Sequence, residues 1–277
     1  MGMQINTNIT ANNAYRNLNN TQSDLSKSLE KLSSGLRINR AADDAAGLAI
    51  SEGLKSQVGG LTVAARNAQD GISVVQTAEG QLTEVHSILQ RVRDLAVQAG
   101  NDSNNTDSRA AIKTEVDQLQ KELTRISGDA NFNGIKLLDG SNATLTFQVG
   151  AGSVAANDQI AVDLSGANVA TVATAVGALT FDTAANALTS IAALDTQITN
   201  VSTARANLGA VQNRFESTIR SLNVSKENLS AASSRITDTD MAEEMVKYTR
   251  SNILSQAGTA MLAQANQSGQ GVLQLLR

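Results

Sequence analysis

Apolar residues recur at intervals of three and four through most of this 277-residue chain, and no proline interrupts them. Such spacing marks helices that each bury one narrow stripe against a neighbouring helix. Average usage would place roughly a dozen prolines in a chain of this length, and without them long helices can run unbroken. Aromatic residues make up only 2 % of the chain, so its apolar material is mostly Ala, Leu, Val and Ile. That supply suits close helix packing better than a round core built on large rings. The expected fold is mainly α: an elongated antiparallel helical rod or coiled coil, with paired terminal helices and a small β-hairpin tip.

The first segment, residues 1–40, is organised by Leu18, Leu25, Leu29, Leu32 and Leu36, preceded by Ile5 and Ile9 one turn apart. Gly35 weakens this helix, and the stripe stops there. Arg37, Ile38, Asn39 and Arg40 fit no stripe, and Asp43 and Asp44 offer carboxylates to the free N–H groups of a new helix. The stretch reads as helix, basic elbow, acidic cap, helix, with Gly35, Arg37, Asn39, Asp43 and Asp44 as its working residues.

Residues 41–165 hold the next helices and a hairpin. A helix from Asp44 to about Gly100 carries Val85, Leu89, Val92, Ala96 and Ala99, with Gly59 and Gly60 as a place to break or bend. Ile88 and Leu95 lie off that stripe, so this helix has either more than one neighbour or one buried face and one contact face. After a polar turn, Ile112, Val116, Leu119, Leu123 and Ile126 form another stripe, antiparallel to the last because the connection is short. Ser127 to Gly134 reads as a turn cluster. The period then changes to two, with Leu145, Phe147 and Val149 facing Ile160, Val162 and Leu164 across a polar loop, which is a hairpin pattern.

Residues 166–186, rich in Ala, Thr, Val and Gly, are read as a short, variable, exposed tip. Residues 187–236 return to helix, with Ile191, Leu194, Ile198, Val201, Leu208, Val211, Phe215, Leu222, Leu229 and Ile236, roughly 75 Å of it at 1.5 Å per residue. Thr237 to Asp240 interrupts and caps residues 237–277. There Met241, Met245, Tyr248, Leu254, Ala257, Met261 and Ala265 are expected to pack, and Val272, Leu273, Leu275 and Leu276 follow. Apolar side chains so near an end fray in water unless covered, and the N-terminal stripe is the simplest cover. What apolar surface remains implies packing against other copies.

Several classes of function are excluded or disfavoured. Without cysteine there are no disulfides, thiolate metal sites or cysteine nucleophiles. A net charge of −4 without a basic stripe argues against nucleic acid. Met1 to Asn20 has one basic residue, Arg16, and no apolar run, so it lacks the form of a general secretory signal. Val169 to Phe181 is broken by Thr171, Thr174 and Thr180 and falls short of the roughly 20 residues that cross a bilayer, so no membrane insertion is expected. His86, the sole histidine, has no nucleophile or orienting group beside it. The pairs Asp43–Asp44 and Glu243–Glu244 read as helix caps, and Gly150-Ala151-Gly152 as a hairpin loop. No catalytic, cofactor or metal site is expected.

The residues also resemble a family. Ile5-Asn6-Thr7-Asn8, Leu32-Ser33-Ser34-Gly35-Leu36-Arg37-Ile38-Asn39 and Ala41-Ala42-Asp43-Asp44-Ala45-Ala46-Gly47 look like the N-terminal signature of bacterial flagellin. Ile253-Leu254-Ser255-Gln256-Ala257-Gly258, Met261 to Gln267 and Leu275-Leu276-Arg277 look like its C-terminal signature. The resemblance implies a secreted subunit of the extracellular flagellar filament, a homopolymer whose terminal helices form an inner tube within an outer tube of rod helices. It implies passage through the flagellar export apparatus with an export chaperone, and contacts with filament cap and hook-junction proteins. Inner-core assembly then falls to Leu25, Leu29, Leu32, Leu36, Leu254, Ala257, Met261, Leu275 and Leu276. The family usually carries large outer domains where this chain has only about 20 residues. Leu89 to Leu95 resembles the stretch read by a host Toll-like receptor, with Arg91, Leu95 and Glu115 as the matching contacts and Asp94 where the family commonly has Glu. A hook–filament junction protein, and a secreted adhesin or receptor ligand acting as a monomer, stay open as alternatives.

Overall fold

A computed structural model describes the backbone from residue 8 to 275 and the side chains from 8 to 267. In chain order the elements are α1 (Ile9–Ser34), α2 (Ala45–Ala99), α3 (Thr106–Asp129), β1 (Asn131–Phe132), β2 (Ile135–Lys136), β3 (Thr144–Gln148), the single turn α4 (Ala155–Asp158), β4 (Gln159–Asp163), a 3-10 turn (Ser165–Ala167), α5 (Val169–Gly177), α6 (Ala184–Thr237) and α7 (Met241–Leu275). They form two compact units. One is made of residues 57–227, the other of the two ends, up to residue 56 and from residue 228.

Residues 57–227 hold the main core. Gly71 of α2 faces Phe215 of α6, Glu79 pairs with Arg205, and Arg93 pairs with Asp195, so the two helices run antiparallel. The same argument sets α3 antiparallel to α2, since Arg91 meets Glu115 and Arg109 donates to the Ala99 carbonyl. Val75, Leu82, Val85, Leu89 and Val92 of α2 are fully buried with Val116 and Leu123 of α3 and Leu194 and Phe215 of α6. Leu95, off the main stripe, is buried beside Ile112 on the α3 side. Gly59 and Gly60 do not break α2. Gly60 instead lets the hairpin loop approach, because a Cβ there would lie 2.8 Å from the Ala151 Cβ.

The hairpin pairs β3 with β4 in the register Thr144↔Asp163 to Gln148↔Gln159. Its buried face carries Ile160 and Val162. Phe147 meets Phe215 edge to face, ring centres 5.6 Å apart, and Asn67 of α2 donates to the Gln148 carbonyl at 3.0 Å. A lone hairpin is marginal in water; these contacts fix this one on the helices. A second small hairpin, β1–β2, stands at the end of the stretch read as a turn cluster. Asn133 (φ 50°) and Gly134 (φ 81°) make its two-residue turn, the left-handed pair that Asn-Gly supplies.

Residues 166–186 are not an exposed tip. α5 is capped by the Asn168 side chain, which accepts from the Thr171 N–H, and it packs on α3. Val169, Val172, Ala173 and Val176 are buried, at helical spacing, and Phe181 is only 1 % exposed. The threonines that obscured this stripe point outward: Thr171, Thr174 and Thr180 are exposed.

The terminal unit is built on α1 and α7. Asn8 caps α1 by accepting from the Ala11 N–H, and Gly35 ends it at φ +72° with its N–H on the Lys31 carbonyl. Asp240 caps α7 through the N–H groups of Ala242 and Glu243. The helices are antiparallel: Asn8 donates to the Ala265 carbonyl, Gln22 bonds Ser255, and Gly258 faces Leu18. The covered positions alternate by three and four. They are Ala11, Ala14, Leu18, Thr21, Leu25, Ser28 and Leu32 on α1, and Tyr248, Ser251, Ser255, Gly258, Leu262 and Ala265 on α7.

The truncation Phe181→Ala separates a core plug from a loose tip. It should cost about 3–5 kcal/mol, read as a lower urea midpoint with an unchanged helical spectrum. A midpoint equal to the parent's would mean that residues 166–186 bear no load.

Candidate interaction surface

The elbow residues come together, and the far end of the chain joins them. The Arg37 guanidinium donates twice to the Ile236 carbonyl, at 3.2 and 2.7 Å, and its backbone N–H donates to the Thr237 carbonyl at 2.6 Å. The Thr239 N–H returns to the Gly35 carbonyl at 3.1 Å, and Leu36 bridges Asp238. Arg37 thus supplies donors to carbonyls left free at the end of α6, where a positive charge also suits the helix dipole. Asn39 donates to the Leu36 carbonyl, and Arg40 pairs with Glu30 at 2.9 Å.

The two acidic residues divide their tasks. Asp44 caps α2 by accepting from the Gly47 N–H at 2.8 Å. Asp43 does not cap the helix. It accepts from the N–H groups of Asn39 and Arg40 and so closes the elbow on itself. The Arg40 N–H, then that of Asn39, holds the Asp43 carboxyl below its ordinary range. Ile38 is buried, and a Cβ at Gly47 would fall 2.5 Å from Asp44 Oδ2 and 2.7 Å from Ile38 Cδ1. Sequence reasoning placed Gly35, Arg37, Asn39, Asp43 and Asp44 in one junction. It missed Thr237 and Asp238 as partners, although the Thr-Asp-Thr-Asp run had marked a break.

The assembly residues divide between two surfaces. Leu25 and Leu32 sit in the α1–α7 seam, and Leu36 lies half-buried in the junction. Leu29, Leu254, Ala257 and Met261 are exposed. Met241, Met245 and Met261, read as packing residues, therefore find no cover within the chain. The seam takes the other phase of α7, where small Ser251, Ser255 and Gly258 admit a closer helix. Leu254, half exposed at 52 %, then lines an open groove of ≈ 480 Å³ with Met245, Val246, Thr249, Arg250 and Ile253. The side chains of Leu275 and Leu276, like Ile5, lie outside the described residues.

The third group of sequence candidates is only partly a surface. Arg91 and Glu115 are exposed and paired at 2.7 Å between α2 and α3. Leu95 is 2 % exposed and belongs to the core, so it offers little to a partner. Elsewhere, His86 Nε2 lies 2.9 Å from the Gln90 amide nitrogen. The Gly150-Ala151-Gly152 loop is closed by the Asp158 carboxylate, which accepts from the N–H groups of Gly152 and Val154. No group of three or more potential metal ligands stands together among the described residues.

A variant at the tightest point of the elbow tests its packing. Gly47→Val should lower stability by about 1–3 kcal/mol, because Asp44 or Ile38 must move. Chemical denaturation of the full chain reads the change, and a parent-like midpoint would show that the close approach is not required.

Comparison with known proteins bears on these surfaces directly. The family model of the bacterial flagellin N-terminal helical region matches residues 5–143, and that of the C-terminal helical region matches residues 191–276. A flagellin of Halalkalibacterium halodurans is 53 % identical over 275 residues, covering 99 % of this chain and all of the relative. A flagellin of Bacillus subtilis is 48 % identical over 309 residues, with the same coverage. A flagellar filament 33 kDa core protein of Treponema phagedenis is 46 % identical over 294 residues, again across the whole relative. A putative flagellar hook-associated protein of Vibrio parahaemolyticus shares the fold at TM-score 0.57 and 14 % identity, over 71 % of this chain and all of its own. The elbow and both helical ends lie inside the matched regions, and the chain belongs to the bacterial flagellin family.

Proposed function

We infer that this chain is the structural subunit of a bacterial flagellar filament and works by self-assembly, not by catalysis. The family and the relatives named as filament core proteins support this reading. The observation that carries it is the open face of α7, where Met245, Val246, Ile253 and Leu254 stay in contact with water. Contiguous exposed apolar surface of this kind marks an interaction site. In a filament one patch meets a different patch on the next copy, and the repeated operation does not close, which gives a helical tube.

The finer reading assigns the inner contacts to residues 1–40 and 240–277. Leu25 and Leu32 hold the helix pair. Leu29, Leu254, Ala257 and Met261 meet neighbours, joined by Leu275 and Leu276. Ordering of these ends is completed by the neighbour, as in other coupled folding and binding. The filament is extracellular. Passage through the flagellar export apparatus with an export chaperone, and contacts with filament cap and hook-junction proteins, belong to the same reading. The Arg91–Glu115 pair is the surface offered to a host Toll-like receptor, with Leu95 supporting it from beneath. Receptor activation by the monomer tests this last part, and silence at saturating protein removes it.

The double variant Ile253→Ser, Leu254→Ser tests assembly. Each lost apolar contact is worth about 1.5–3 kcal/mol if fully covered, so the critical concentration should rise at least about a hundredfold. The monomer's helical spectrum should stay unchanged. Sedimentation and electron microscopy after seeding provide the readout. Filaments of normal length and yield would overturn the assignment of this face.

A further inference from the structure

The chain has five methionines, at positions 1, 3, 241, 245 and 261, and no cysteine or tryptophan. The three whose side chains are described all lie on α7. Met241 is 47 % exposed, Met245 49 % and Met261 66 %. A thioether is the softest two-electron reductant left in a protein that lacks thiols, and its reactivity follows its exposure. Among the described residues, the sites open to peroxide therefore lie on the helix that carries the open apolar face.

We propose that Met241, Met245 and Met261 form a reversible oxidation site that blocks assembly of the free subunit. The proposal rests on the assembly reading above. In the step, a peroxide transfers one oxygen atom to the methionine sulfur. A sulfur–oxygen bond forms and the peroxide O–O bond breaks. Sulfur gives up two electrons, and with hydrogen peroxide the reduced product is water. The sulfoxide is polar and chiral where the thioether was flexible and apolar. At Met245 it sits in a groove whose apolar wall is Val246, Ile253 and Leu254, with Thr249 and Arg250 as the donors at its edge. Its oxygen, bonded to water or to these donors, puts a polar group into a groove that a neighbouring copy must fill with apolar side chains, and burying a polar group against such surface is penalised. A chain already in the filament has these sulfurs covered and reacts slowly. Sulfoxide reductases, which return the thioether, restore the subunit.

The test treats the full-length monomer with hydrogen peroxide, maps sulfoxide by mass spectrometry and measures seeded assembly by sedimentation. Oxidised wild type should show a critical concentration raised at least about tenfold. Treatment with methionine sulfoxide reductases of both stereospecificities should reverse it. The triple variant Met241→Leu, Met245→Leu, Met261→Leu keeps Met1 and Met3, and should assemble equally well before and after peroxide. Undiminished assembly of oxidised wild type, or equal inhibition of the triple variant, would overturn the proposal while leaving self-assembly in place. Should the leucine variant not assemble before treatment, the reductase arm with sulfoxide mapping decides: recovery that tracks reduction of Met241, Met245 and Met261 supports the site, and recovery that tracks Met1 and Met3 instead, or no recovery, sinks it. Failure of untreated wild type to polymerise would instead count against the assembly reading itself.

Discussion

The helix pair α1–α7 is held by a seam with little apolar mass, and the behaviour of the chain's ends follows from that. Thr21 and Ser28 on one side, and Ser251, Ser255 and Gly258 on the other, let two backbones come close. They bury few methylenes, and burial of apolar surface is the main favourable term in folding. Leu18, Leu25, Leu32 and Leu262 supply most of what there is. Meanwhile Leu29, Ile253, Leu254 and Met261, which could have strengthened the pair, face outward. A helix pair with its larger side chains outside is incomplete by itself, and the proposed assembly is what covers them. The unit of residues 57–227 shows the opposite economy, with Val75, Leu82, Leu89, Leu123 and Phe215 all hidden within one chain.

The junction at residues 35–47 solves a separate difficulty. Two interruptions of helix, one after α1 and one after α6, leave helix ends with unpaired carbonyl and N–H groups. Arg37 and the Gly35 carbonyl bond the Ile236–Thr239 backbone and tie the two interruptions together, while Asp43 closes on the Asn39 and Arg40 N–H groups and Asp44 on that of Gly47. Glycine is required at two points for different reasons. Gly35 adopts a left-handed conformation, whereas Gly47 must leave room for Asp44 and Ile38.

Much of this was legible in the sequence. Heptad spacing located the long helices, alternation located β3 and β4, and the basic-then-acidic run located the elbow. Three features were not legible, each for a physical reason. The phase of α7 toward α1 could not be read because two apolar stripes compete, and side-chain size, not hydrophobicity, decides which one faces α1. α5 was hidden because threonines on its outer face masked the stripe Val169, Val172, Ala173 and Val176. The bonding of Thr237, Asp238 and Thr239 to Arg37, Leu36 and Gly35 joins residues some two hundred positions apart, and no local pattern reports such a pairing. Of the receptor candidates, which the resemblance supplied, Arg91 and Glu115 meet between α2 and α3, whereas the i, i+4 spacing of Arg91 and Leu95 could not tell that Leu95 points inward.

α5 and Phe181 carry a consequence for how this architecture can vary. They stopper the core of residues 57–227 against α3, so the link between β4 and α6 is not idle string. Any relative that enlarges this region must bring its own bung for the same opening, or keep this one and hang its extra bulk outside it.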